Sequence, residues 1–204
     1  MELNVLSIDI GILNLGYVFA KLKFDSENYS NPIKNNLDIF SHKDIEVIAC
    51  DRVNITHMKH NTVEFCNCKL HHESCVPDYL DHFIQENEHF FTFADLILLE
   101  RQPPVGIVNV QDLLFTKFRN KVTLISPCSV HKYFRMSKNY DTRKNQSELI
   151  SSKYLSFQNK YNNNTRRHDM SDAMLMLLYY YKIHSDELFK NKPDTITDFE
   201  QFRL

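Results

Sequence analysis

The chain has 204 residues, 43% hydrophobic and 25% charged, with a formal net charge of −2, which predicts one compact domain with room for a core. No apolar run is long enough to span a bilayer. The first nine residues lack the basic and long apolar regions of a secretory signal, so an intracellular, reducing compartment is expected.

Residues 3–9 (LNVLSID) are a short apolar run ending in Asp9, and predict a buried strand. A turn at 11–14 leads to a second strand at 14–22 (NLGYVFAKL), a polar loop at 25–44 and a third strand at 45–52 (IEVIACDR). Two tight reversals with so little between them imply an antiparallel start. After a Cys/His-rich stretch at 54–76, residues 77–91 have helical spacing, with Pro77 suited to a first helical position. Residues 94–100 (ADLILLE) form a continuous apolar run ending in Glu100, a fourth buried strand. A helix is expected at 105–119, a fifth strand at 121–126, and a short helix through 134 that Ser126 and Pro127 begin. The basic, polar stretch 137–146 reads as a mobile loop. A helix at 147–157, an Asn-rich loop at 159–165 and a closing helix at 168–184 follow. The result is an α/β fold over 1–184: a five-stranded mixed sheet, three antiparallel strands first and then two parallel, flanked by helices. A polar tail occupies 185–204.

Within RRHDMSDAMLMLLYYY (166–181), Asp169 and Asp172 share one helix face with Ala173, Met176 and Tyr180. Taken alone, the pair reads as helix capping or dipole complementation. Asp9 and Glu100 change the balance, because functional groups of α/β sheets gather at the carboxyl ends of strands. Four carboxylates converging there would repel one another unless cations compensate. Two Mg²⁺ (or Mn²⁺) ions acting on a phosphodiester fit such a set, with Asp9 as the bridging ligand. Arg166, Arg167 and His168 flank the pair as a phosphate-facing rim.

The pattern DIG at 9–11, LLERQPP at 98–104 and HDMSDA at 168–173 resembles the Holliday junction resolvases of large cytoplasmic DNA viruses, the poxvirus-type branch of the RuvC-like, RNase H-fold nucleases. The resemblance spans about residues 3–182. It implies an RNase H-like domain and a homodimer that nicks four-way DNA junctions symmetrically with divalent metal. By this carry-over Asp9, Glu100, Asp169 and Asp172 are the catalytic metal ligands. It also places the protein in the host cytoplasm at sites of viral DNA replication, or with the virion. One departure is His168, where poxviral members carry a further acidic residue.

Charge distribution supports a DNA partner. Residues 101–172 hold 13 basic and 5 acidic residues, against 11 and 21 in the rest of the chain. Arg101, Lys117, Arg119, Lys132, Arg135, Lys138, Arg143 and Lys144 are candidate phosphate contacts, with Arg166 and Arg167. Tyr140 is the candidate for stacking on an exposed base. The apolar surface of the helix at 105–119 is the candidate dimer interface.

The stretch HMKHNTVEFCNCKLHHESC (57–75) is dense in potential metal ligands. A structural Zn²⁺ site is favoured over a polar loop with reduced cysteines. The preferred ligands are Cys66, Cys68, His72 and His82, with Cys75, His57 and His60 as substitutes. Three rival functions remain. An actin-like or sugar-kinase ATPase would need two domains and glycine-rich phosphate loops, but the chain has three glycines, and no nucleotide cofactor is expected. A non-catalytic branched-DNA-binding module should have lost a carboxylate. A ribonuclease H acting on RNA–DNA hybrids shares the fold and the chemistry.

Overall fold

The computed structural model describes residues 1–24, 44–57 and 75–190. Five strands form one sheet: β1 (Glu2–Asp9), β2 (Leu15–Lys23), β3 (Ile45–Val53), β4 (Leu96–Glu100) and β5 (Val122–Ile125). Their spatial order is β3-β2-β1-β4-β5. β2 is antiparallel to both β1 and β3, whereas β4 runs parallel to β1 and β5 parallel to β4. This is the predicted mixed sheet, with β1 at its centre.

Period-two alternation sends successive side chains of the central strands to opposite faces. Leu6 and Ile8 of β1 and Ile97 and Leu99 of β4 pack with α1 (Val76–Glu86), α2 (Glu88–Phe93) and α3 (Val108–Lys117). Val5 and Leu98 pack on the other face, against α4 (Pro127–Tyr133), α5 (Tyr140–Leu155), α6 (Asn159–Asn162) and α7 (Arg167–Lys190). Both faces are covered, which explains why β1 and β4 read as short, largely apolar runs. Among the described residues, no helix is long and apolar enough to cross a membrane.

Several boundaries depart from the sequence reading. The helix expected at 77–91 breaks at the buried Asn87, whose amide donates to the Phe83 carbonyl (2.9 Å) and accepts from the Tyr17 hydroxyl (3.2 Å). α3 starts later than residue 105 because Pro103–Gly106 close a turn, the Gly106 N–H donating to the Pro103 carbonyl at 2.8 Å. The stretch 137–146 is no loop beyond Asn139. Asn139 caps α5 by accepting from the Thr142 N–H (3.0 Å), and the Gln146 side chain accepts from the Ser137 N–H (2.8 Å). The Asn-rich segment contains the short α6. α7 passes the expected boundary at 185, where Ser185 is buried, and ends at Lys190. Most of the expected tail, like the 25–43 loop and the core of the Cys/His stretch, lies outside the described residues.

α7 lies directly on the sheet. Its residues Met170, Ala173, Met174 and Leu177 are fully buried. Ser7 of β1 donates to the Ala173 carbonyl (2.7 Å) and Ser151 of α5 to the Ser171 carbonyl (3.0 Å). The closest approach is at Gly16 of β2: a Cβ there would sit 2.2 Å from the Asp169 carbonyl oxygen and 2.4 Å from its carbon. Both are backbone atoms, so no side-chain rotation relieves the clash. Gly16→Ala is expected to cost about 1–3 kcal/mol, an overpacking penalty, read as a lower urea midpoint at unchanged slope. An unaltered midpoint would mean that α7 can lift at no cost.

Candidate active site

The register that sets Ile8 beside Leu99 ends two neighbouring parallel strands at one level, with Asp9 closing β1 and Glu100 closing β4. By alternation both point to the face that Ser7 and Leu98 occupy, towards α7. Asp169 and Asp172 lie in the first turns of α7, which begins at Arg167. Asp169 is therefore inside the helix and is not its N-cap, so capping does not account for the pair. All four carboxylates line one cavity of about 240 Å³, with His131 of α4, Tyr140, Arg143 and Lys144 of α5, and His168.

Each acid has a distinct partner. Asp9 and Glu100 share a hydrogen bond, and Glu100 also accepts from the Ile10 N–H. The Gln102 amide donates to Glu100 at 2.5 Å. Ser147 of α5, fully buried, donates to Asp172 at 2.5 Å. Arg166 donates to Asp169 through Nε at 3.1 Å. His168 Nε2 lies 3.2 Å from Asp169 Oδ1.

Burial, and then the charges of Glu100, Asp172 and Asp169, push the Asp9 carboxyl well above the usual carboxylate range. Burial also raises Glu100, against hydrogen bonds that favour its charged form. Asp172 is pushed up to about 6, by burial first and then by Glu100 and Asp169, with Ser147 and Arg143 opposing. His168 is lowered by burial and by the cations Lys144, Arg166 and Arg52, against the pull of Asp169.

As they stand, no three His, Cys, Asp or Glu side chains among the described residues close to a metal-holding group. Glu100 is drawn to Gln102, Asp172 to Ser147 and Asp169 to Arg166. The donor set nonetheless fits hard divalent cations. It consists of acidic oxygens from three elements at one cavity, and burial first, then neighbouring negative charge, raises Asp9 and Asp172.

Of the predicted DNA contacts, Tyr140, Arg143 and Lys144 line the cavity and Arg166 borders it. Tyr140 is exposed, with Lys144 Nζ 4.1 Å and the Arg143 guanidinium 5.5 Å from its ring centre. Lys132, Arg135 and Lys138 are exposed at the α4–α5 corner, where Arg135 takes a positive φ of 51°. Arg167 donates to the Asn162 carbonyl (2.9 Å) and stands over Tyr161. Lys117 and Arg119 are not brought to the site. Lys117 is paired with Asp81 (2.5 Å) in the helix layer on the opposite face, and Arg119 stands over Phe115. Arg101 opens into a different cavity.

Of the zinc candidates, Cys66, Cys68, His72 and His60 lie outside the described residues. Cys75 is exposed at the start of α1, His82 is on α1, and His57 ends a 3-10 turn.

Sequence reasoning missed Gln102, Ser147, His131 and Arg52. Gln102 uses both ends of its amide, donating to Glu100 and accepting from the Ile107 N–H at 3.2 Å, while Gln111 accepts from its own N–H at 2.8 Å. Its place two residues after Glu100, in a Pro/Gly turn, was the available signal. Arg52 is the cross-strand partner of Gly16, and its Nη1 donates to Asn14 at 2.7 Å.

A carboxyl raised by folding binds its proton more tightly in the folded chain than in the unfolded one. Its stabilising effect is full below the ordinary value of 3.8 and is lost as pH rises to about 6 for Asp172. Asp172→Asn should therefore stabilise the protein in EDTA at about pH 8 by about 1–3 kcal/mol. The gain should vanish below about pH 4, and urea unfolding at the two pH values reads it. An equal gain at both would remove charge as the cause.

No family model and no curated protein matches the chain. Solved structures do. The fowlpox virus resolvase in complex with its substrate Holliday junction DNA matches with a TM-score of 0.58 at 18% identity, over 89% of this chain and 98% of that one. A second structure of the fowlpox virus Holliday junction resolvase gives 0.51 at 18% identity, over 90% and 99%. RuvC of Thermus thermophilus gives 0.50 at 12% identity, over 91% and 98%. The chain thus has the RNase H-like fold of these resolvases.

Proposed function

We propose that the protein is a structure-specific endonuclease that resolves four-way DNA junctions by divalent-metal-dependent phosphodiester hydrolysis. The observation that carries this reading is the meeting of Asp9, Glu100, Asp169 and Asp172 in one cavity rimmed by Tyr140, Arg143 and Lys144, on a resolvase-like fold.

The four carboxylates would hold two Mg²⁺ or Mn²⁺ ions, which supply a water nucleophile at neutral pH and neutralise charge building up on the phosphate. The chain's own residues do the rest. Asp9, at the end of the central strand, is the most rigidly placed donor. Gln102 and the Ile10 N–H aim Glu100, and Ser147 aims Asp172. Arg143 and Lys144 grip the phosphates beside the cut, and Tyr140 offers its ring to an unstacked base. On this reading the protein acts on viral DNA in the host cytoplasm.

The decisive experiment compares a four-way junction, a linear duplex and an RNA–DNA hybrid, with Mg²⁺ and with EDTA. Paired nicks on the junction alone, with Mg²⁺ alone, are expected. Asp9→Asn should abolish nicking and leave junction affinity within about two-fold, because affinity rests on the basic rim. Cutting of the hybrid alone would make the protein a ribonuclease H. Tight junction binding with no cutting would make it a binding module.

We further propose a homodimer, one nick from each copy. Val105 and Leu113, in and before α3, are apolar and exposed (96% and 37%), as a self-association surface requires. Leu113→Lys should yield a monomer in sedimentation and unpaired single nicks. A dimer that persists would place the interface elsewhere.

A further inference from the structure

A second cavity, of about 300 Å³, lies beside the carboxylate site, a size at the small end of ligand pockets. The two share a wall. Pro127, Val130 and His131 of α4 line the first, whereas Ser126 and Ser129 line the second. On α7, Met176 belongs to the first and Tyr179 and Tyr180 to the second, one helical turn or about 5 Å further along. At the strand ends, Glu100 opens into one and Arg101 into the other. Tyr179 and Tyr180 lie about 10–12 Å along α7 from Asp172, so a strand whose phosphate sits among the carboxylates reaches the second cavity within a few nucleotides.

Its chemistry is unlike that of the first. It has no acidic lining residue. Its aromatic wall includes Tyr179, set edge-on to Tyr133 (5.6 Å), and Tyr180, against His184 (4.1 Å). Around that wall stand the Arg101 guanidinium and the hydroxyls of Ser126 and Ser129. Among the described residues none of these three groups has a protein partner, and Ser126, although at the N-cap of α4, makes no capping bond. Aromatic side chains beside unspent donors are what an extruded base requires: stacking for its face and hydrogen bonds for its edge.

We infer that this cavity holds a single base of the substrate strand, within a few nucleotides of the phosphate to be cut and turned out of the duplex. This rests on the nuclease reading above. A purine is the best match, because its large ring stacks and its N7 presents an acceptor to an arginine. The pocket then selects where along a junction the nick falls, a task the carboxylates cannot perform.

The test uses junctions with 2-aminopurine placed in turn at each of the three nucleotides on either side of the mapped nick. They are bound by the Asp9→Asn protein so that they stay intact. Fluorescence should change at one position, and the change should disappear when Arg101→Ala and Ser129→Val are added. In the nicking assay, an abasic residue at that position should slow the wild type about ten-fold or more. The same abasic residue should slow the Arg101→Ala, Ser129→Val enzyme no further. A junction that is bound and nicked with no responding position overturns the inference and leaves the nuclease reading standing. So does independent multiplication of the two losses. If the wild type nicks no junction, both fall.

Discussion

The site depends on how closely the first turn of α7 approaches the sheet. Two of the four carboxylates belong to strand ends whose level is fixed by backbone pairing, and two belong to a helix held by packing and side-chain hydrogen bonds. Gly16 lets these two frames meet backbone to backbone, and the buried serines Ser7 and Ser151 fasten the helix through its carbonyls. A helix held a methyl group further out would carry Asp169 and Asp172 away from Asp9 and Glu100.

The approach creates an electrostatic problem that the surroundings answer in layers. The floor is acidic and partly dehydrated; a hydrogen bond joins Asp9 to Glu100, and Ser147 holds Asp172. The next layer is cationic: Arg166 against Asp169, Arg143 near Asp172, and Lys144 and Arg52 within reach of His168. A polyanion approaching this rim meets positive charge first and the acids last. That order suits a substrate whose phosphates would otherwise be repelled.

Much of this was legible in the sequence, for physical reasons. The strands are fully covered, so they read as short apolar runs, and two of those runs end in an acid. α5 was half missed because it meets the core through Ser147, Ser151, Tyr154 and Leu155, two of them small and polar, so hydrophobic periodicity cannot see its first half. Its start is set by the Asn139 cap. The sequence groups Lys117 with the DNA contacts because charge density along a chain does not say which face of a sheet a residue will occupy, and its partner Asp81 lies 36 residues away. Gln102, Ser147 and Arg52 acquire their roles only through partners supplied by the fold.

The Ser7–Ala173 hydrogen bond joins residues 166 positions apart. β1 to β3 can pair as soon as they are made, since their contacts are local. α7 must wait for nearly the whole chain, and contacts between distant segments form slowly. The order of synthesis therefore separates the two halves of the site in time. A nascent or C-terminally shortened copy carries Asp9 and Glu100 without Asp169 and Asp172. Until the last helix has been made, the four acids cannot meet.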